Sequence, residues 1–149
     1  MSRGRYLVSS YGDNQEGTRV GLAKFFELCQ RHGSGVIVVP TIGNVKGTMF
    51  SQVLPEALAN TLITKRTVTF AEGQTITLCG STTLKNFTQA KVYLALWGQA
   101  DTIEKIERDC YSCTAEVFVT WLPEDSKEWA RKHKVTTIYD DGVKSTPGF

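Results

Sequence analysis

Residues 91–138 constrain the fold more than any other part of this chain. KVYLALW (91–97) is a continuous apolar run, and AEVFVTWLP (115–123) is a second one about 25 residues further on, the length of one strand–helix unit. Each is followed by acidic residues and then by apolar residues at helical spacing. A strand with one wet face alternates apolar and polar residues, whereas an unbroken apolar run belongs to a strand that helices cover on both sides. The stretch therefore reads as strand, helix, strand, helix, strand in a parallel sheet.

The upstream chain repeats this pattern. RYLVSSY (5–11) is a first strand, and Leu22, Phe25, Phe26 and Cys29 then fall at i, i+3, i+4 and i+7, one helical stripe. Thr18 is the expected N-cap of that helix and Gly33 its stop signal. VIVVP (36–40) follows as a buried strand, so 5–40 form a βαβ unit. A second helical stripe carries Phe50, Val53, Leu54, Ala57, Leu58, Thr61 and Leu62, with the helix expected to begin near Leu54 and hold Pro55 in its first turn. TVTFAEGQTITLCG (67–80) changes to strand-like runs on either side of AEGQ, a hairpin signal. STTLKNFTQA (81–90) reads as a loop. Asp101 or Thr102 is the expected cap of the helix holding Ile103, Ile106 and Cys110. Pro123, Glu124 and Asp125 open the next helix, whose inward residue is Trp129, and VTTIYDD (135–141) is a last strand. The fold expected is α/β and three-layer, with a mostly parallel sheet of Rossmann-like or flavodoxin-like kind and an antiparallel hairpin at about 67–80. One domain is expected over 1–141, with a flexible tail at 142–149.

Composition narrows the function classes. Net charge is +2, with 41% hydrophobic and 21% charged residues, which is too mild a balance to point to nucleic acid or a membrane. Arg3, Arg5, Lys65, Arg66, Lys85 and Lys91 are scattered through the sequence and suggest no basic surface. No apolar run is long enough to span a bilayer, and the N-terminal residues lack the apolar core of a signal peptide. Four cysteines in 149 residues make no disulfide framework, so a cytoplasmic protein with reduced thiols is expected. The C-x-x-C of Cys110 and Cys113 ends a helix instead of opening one, the wrong placement for a redox pair, and no second pair completes a zinc site. No metal site is expected.

Ligands of open parallel sheets bind beyond the carboxyl ends of the strands. That rule nominates the loops at 9–14, 41–47, 97–101 and 121–125. In the second, Gly43, Asn44, Lys46, Gly47 and Thr48 precede a helix and offer backbone N–H groups and a cation to a phosphate, although the spacing is not that of a standard phosphate-binding loop. Trp97 and Trp121 each end a strand, where two indoles flanking one crevice would stack a planar ligand; the plain structural alternative is that they cap the core. Ser9, Ser10 and Tyr11 would hydrogen-bond a ribose or phosphate, or serve as turn residues. No catalytic residues follow from the pattern, since no carboxylate pair or nucleophile motif can be placed.

One local resemblance adds to this. ITLCGSTT (76–83) resembles the opening strand and Gly-Ser loop of nucleoside 2-deoxyribosyltransferase-like proteins, and AEVFVTWL (115–122) resembles a later strand of that family. No catalytic residue is carried over from it.

Three functions compete. The first is a small α/β domain that binds a nucleotide-like or phosphorylated ligand in the strand-end crevice, as a sensor, sequestering or regulatory protein. The second is an interaction or assembly component, forming a homo-oligomer through the 67–80 hairpin edge or the tail ending Pro147-Gly148-Phe149. The third is an enzyme on a nucleotide-type substrate, which would need Glu16, Asp101 or Glu124 to face the crevice. Neither nucleic acid nor a membrane is an expected partner, and the residues name no cofactor.

Overall fold

Alternation of buried residues sorts the chain into two faces of one sheet, as seen in a computed structural model that describes residues 3–12, 14–40, 52–70 and 72–142. The strands are β1 (Gly4–Ser9), β2 (Gly35–Val39), β3 (Thr67–Thr69), β4 (Thr75–Gly80), β5 (Val92–Gly98), β6 (Ala115–Thr120) and β7 (Thr136–Asp140). The helices are α1 (Gln15–His32), α2 (Glu56–Lys65), α3 (Ala100–Asp109) and α4 (Lys127–Lys132). The sheet order is β3-β4-β2-β5-β6-β1-β7, parallel throughout except for the β3–β4 pair. The expected three-layer α/β architecture is present, and so is the antiparallel hairpin.

The unbroken apolar runs become the middle of the sheet. Every residue of β2, β5 and β6 is buried, as strands covered on both faces require. Leu94, Leu96, Val117 and Val119 meet Leu22, Phe25 and Leu28 of α1, and Ala59 and Leu62 of α2 lie in the same layer. Tyr93, Ala95 and Phe118 point the other way, to Ile103 and Ile106 of α3 and Trp129 of α4. The crossover from β1 to β2 passes over β6 and β5, and close approach makes it possible. A Cβ at Gly21 of α1 would lie 2.3 Å from Val119 Cγ2, and one at Gly35 would lie 2.5 Å from Cys29 Sγ.

Helix starts differ from the sequence expectation in several places. Asn14, not Thr18, caps α1, its Oδ1 accepting from the Gly17 N–H at 2.8 Å. Thr18 sits one turn inside and is fully buried. Gln99 occupies the cap position of α3, with no side-chain hydrogen bond, while Asp101 and Thr102 lie in the first turn. Pro55 is the residue before α2 instead of part of its first turn. Residues 123–126 form a 3₁₀ turn leading into α4, and Leu84–Asn86 makes another within the expected 81–90 loop. Among the described residues, no helix is long and apolar enough to cross a membrane. The tail beyond Gly142 lies outside them.

Candidate functional site

Strand order brings the nominated loops to one edge. β2, β5, β6 and β1 are consecutive neighbours and all run the same way, so their carboxyl ends lie side by side. β1 leads into α1 on one face, and β6 leads into the 3₁₀ turn and α4 on the other. Two adjacent strands whose connections leave to opposite faces open a crevice between them, the switch point at which α/β sheets bind ligands.

The two loops bordering that crevice are joined. The Gly12 N–H donates to the Trp121 carbonyl at 2.7 Å, and Gly12 takes φ +67°, a left-handed turn that suits glycine. Beside this bond Tyr11 is 41% exposed and Trp121 43% exposed. Tyr11 is held from behind by its N–H, which donates to Asp141 Oδ2 at 2.8 Å. Two aromatic residues thus face solvent on neighbouring loops whose backbones are tied together.

Beneath them lies a polar layer. Thr120 Oγ1 accepts from the Ser10 N–H at 3.1 Å and donates to the Ser10 carbonyl at 2.8 Å. Ser10 is fully buried, and its Oγ has no hydrogen-bond partner among the described residues. That hydroxyl faces the first turn of α1: a Cβ at Gly17 would stand 3.1 Å from it. Ser9 is half-buried at the end of β1. The interval Gly12-x-x-x-x-Gly17-Thr18, between a strand and a helix, is the two-glycine interval of a phosphate-binding loop without its lysine. This spacing is legible in the sequence, but the glycines at 43 and 47, with a lysine between them, draw the eye first.

The expected pair of crevice indoles is not formed. Trp97 is 6% exposed and packs with the α1-side core, and its Nε1 donates to Thr18 Oγ1 at 3.1 Å. The cause is a bulge. The β5–β6 register slips between Leu96 and Gly98, and Trp97 adopts φ +57°. Strict alternation would send Trp97 to the face opposite Leu96, and the left-handed residue turns it back under α1. Gly43, Asn44, Lys46, Gly47 and Thr48 lie outside the described residues.

The carboxylates at this edge also cluster. Burial, Glu124 and Asp101 together push the Asp125 carboxyl above its ordinary range, against a hydrogen bond from the Ala100 N–H. Glu16 is exposed, and an ion pair with Arg19 holds its carboxyl below its ordinary range.

A second polar cluster, at the opposite edge, has no counterpart in the sequence reading. Arg3 Nη1 lies 3.0 Å from Glu107 Oε1 and 3.2 Å from Glu116 Oε1, and Arg5 Nε lies 2.7 Å from Glu107 Oε2. Trp129 Nε1 donates to Glu107 Oε2 at 2.8 Å and to Glu116 Oε2 at 3.2 Å. Arg3 also donates to the carbonyls of Cys110 and Cys113. Burial and the neighbouring Glu107 carboxylate push Glu116 up to about 9. Burial alone would raise Glu107 too, but hydrogen bonds from Arg5, Glu116 and Trp129 hold it well below the usual carboxylate range. Glu116 sits within the apolar run of β6, so nothing in its spacing marks it as the partner of arginines over 100 residues away. The cluster consumes Arg3 and Arg5, fastening β1 to β6, α3 and α4.

All four thiols are buried, and burial pushes Cys29 and Cys79 up to about 12, so they are core residues as expected. Cys110 and Cys113 are buried as well, with Cys113 Sγ donating to the Ala115 carbonyl at 3.1 Å. Among the described residues no group of His, Cys, Asp and Glu is arranged to hold a metal.

No family model matches the chain, and comparison with curated proteins found no match. The ITLCGSTT segment forms β4 and runs into a 3₁₀ turn, with no α-helix before β5. Among solved structures, the large terminase of a thermophilic bacteriophage is similar, with a TM-score of 0.58 and 9% identity over 93% of this chain. The chain spans 40% of that terminase's length. At this identity the likeness is one of fold, and it places the chain among α/β domains with a mostly parallel sheet.

Proposed function

We propose that this chain binds a nucleotide-like or otherwise phosphorylated ligand at the carboxyl edge of its sheet, and acts as a sensor, sequestering protein or regulatory subunit. The observation that carries the reading is the pair of exposed aromatic residues, Tyr11 and Trp121, on two loops tied at 2.7 Å across the β1/β6 switch point. A planar ring stacks on such residues with little regard to its identity. The amino-terminal turn of α1 lies on the β1 side of the same crevice. A phosphate belongs on that side, where the first N–H groups of α1 ahead of the Asn14-capped Gly17 point outward and the carboxylate of Glu16 is paired with Arg19. The β5 and β6 loops carry Asp101, Glu124 and Asp125, which would repel it. Trp97 lies in the core and braces the start of α1 through its hydrogen bond to Thr18.

A thermal-shift screen against nucleotides tests this. A ligand at about 100 times its Kd adds about 2.7 kcal/mol of stability. The reading predicts such a shift for at least one nucleotide and its loss in Trp121→Ala. No shift with any nucleotide, in a protein that unfolds cooperatively, would defeat it.

A second reading, an enzyme on a nucleotide-type substrate, draws support from Asp125. A carboxyl raised by burial and two neighbouring acids holds its proton more readily than an ordinary aspartate, the property a general acid needs. It predicts release of free base from nucleosides or nucleotides, abolished in Asp125→Asn. Absence of product from the wild type excludes it without touching the binding reading.

A further inference from the structure

β7 forms one edge of the sheet, and its outer side is open. Among the described residues, the backbone of 136–139 bonds only to β1. We propose that this edge is a self-association surface: two copies of the chain join antiparallel through β7, about a twofold axis, into one continuous sheet.

An edge strand with unpaired backbone groups takes another strand unless something defends it, and this one is undefended. Val135–Tyr139 reads VTTIY, all β-branched or aromatic residues, with no charge, Pro or Gly. Thr136 and Thr137 are exposed, while Ile138 and Tyr139 are half-buried against the α1 layer and Val135 against the α3 and α4 layer. A second strand would therefore cover apolar surface on both faces. The opposite edge contrasts with it. β3 is three residues long and follows Lys65 and Arg66, the short and charged form of a protected edge.

Charge names the occupant and its direction. Lys132, His133 and Lys134 precede the uncharged segment, and Asp140 and Asp141 follow it. Parallel copies would set like charges beside each other. Antiparallel copies bring Lys134 of each beside Asp140 of the other, and both residues are exposed. Asp140 Oδ1 accepts from the Gly142 N–H at 2.8 Å, which leaves its charge at the surface. The segment is thus complementary to itself, as a twofold contact requires. The register slip between Leu7 and Val8 leaves Ile138 as an extra residue in β7. A bulge spoils the edge for a straight strand, but a twofold axis at 137–138 matches bulge to bulge. The contact needs no ligand in the strand-end crevice.

Sedimentation equilibrium of the full chain tests this. The expected result is a monomer–dimer equilibrium that weakens as salt rises. Lys134→Glu alone and Asp140→Lys alone each set like charges across the axis and weaken the dimer about tenfold. The two together restore opposite charges and return the affinity to within about twofold of wild type. Thr137→Lys places two lysines together at the axis and leaves a monomer. Thr137 is exposed, circular dichroism reports whether that variant folds, and the charge exchange decides the matter alone if it does not. The proposal is overturned by a chain that stays monomeric at millimolar concentration, by a dimer indifferent to Thr137→Lys, or by a double exchange as weak as either single one. A monomer whose β7 amides are protected from hydrogen exchange only by an unrelated extended peptide gives the edge to a different protein, and overturns it too.

Discussion

Trp97 and Trp121 look alike in the sequence, each the last large residue of an apolar strand, and they meet opposite fates. A single left-handed residue separates them. The φ of +57° at Trp97 buries that indole on Thr18, whereas Trp121 follows β6 outward and stays 43% exposed. Spacing shows that an indole ends each strand, but a bulge is a property of how two strands pair, so the direction of Trp97 was not legible. The difference has measurable consequences. Thr18→Val leaves a buried indole N–H without an acceptor and costs about 1–3 kcal/mol in chemical denaturation. Trp121→Ala removes a solvent-facing ring and changes stability by only about 0.5 kcal/mol or less. A large loss for Trp121→Ala would mean the ring is part of the core.

Helices and strands were legible where burial on both faces leaves a continuous apolar run, as in β2, β5 and β6, or where the stripe has helical period, as in α1. Their ends were less so. Asn14 and Thr18 are both good capping residues, and only the geometry of the β1 loop chooses between them. The way α1 lies on the sheet rests on Gly21 and Gly35, where an added methyl meets Val119 at 2.3 Å or Cys29 at 2.5 Å. Alanine at either position costs about 1–3 kcal/mol by overpacking, read as a lower denaturation midpoint at unchanged slope.

The fastening of β1 to β6, α3 and α4 brings a pH dependence. Glu116 is raised in the fold, so its contribution is complete below the ordinary carboxylate range and is lost as pH climbs towards about 9. Glu107 is depressed, so its contribution is present above the ordinary range and is lost as pH falls below it. Stability should therefore decline on the alkaline side of about pH 5. Glu116→Gln, which keeps a donor towards Glu107 without a titrating group, should flatten that decline in denaturation midpoints measured from about pH 5 to about pH 9. An unchanged slope in the variant would rule out Glu116 as its source.

At the scale of the molecule, the fold class follows from a handful of apolar runs, but the strand order does not. β1 lies between β6 and β7, reached by a crossover spanning two strands that are made later in the chain. That placement puts the β1 and β6 loops side by side and joins Gly12 to Trp121. No local pattern brings residues 12 and 121 together, which is why the Trp97–Trp121 pair was expected and the Tyr11–Trp121 pair was not. The likeness to a large terminase, at 9% identity, supports this architecture and leaves the ligand to experiment. The account turns on whether that joined edge holds a ligand. Fluorescence of Trp121, in a Trp97→Phe, Trp129→Phe background confirmed to fold, measures it directly during titration with nucleotides. The account predicts saturable quenching, weakened about fivefold or more by Tyr11→Ala. Unquenched emission at millimolar nucleotide, or quenching indifferent to Tyr11, would contradict it.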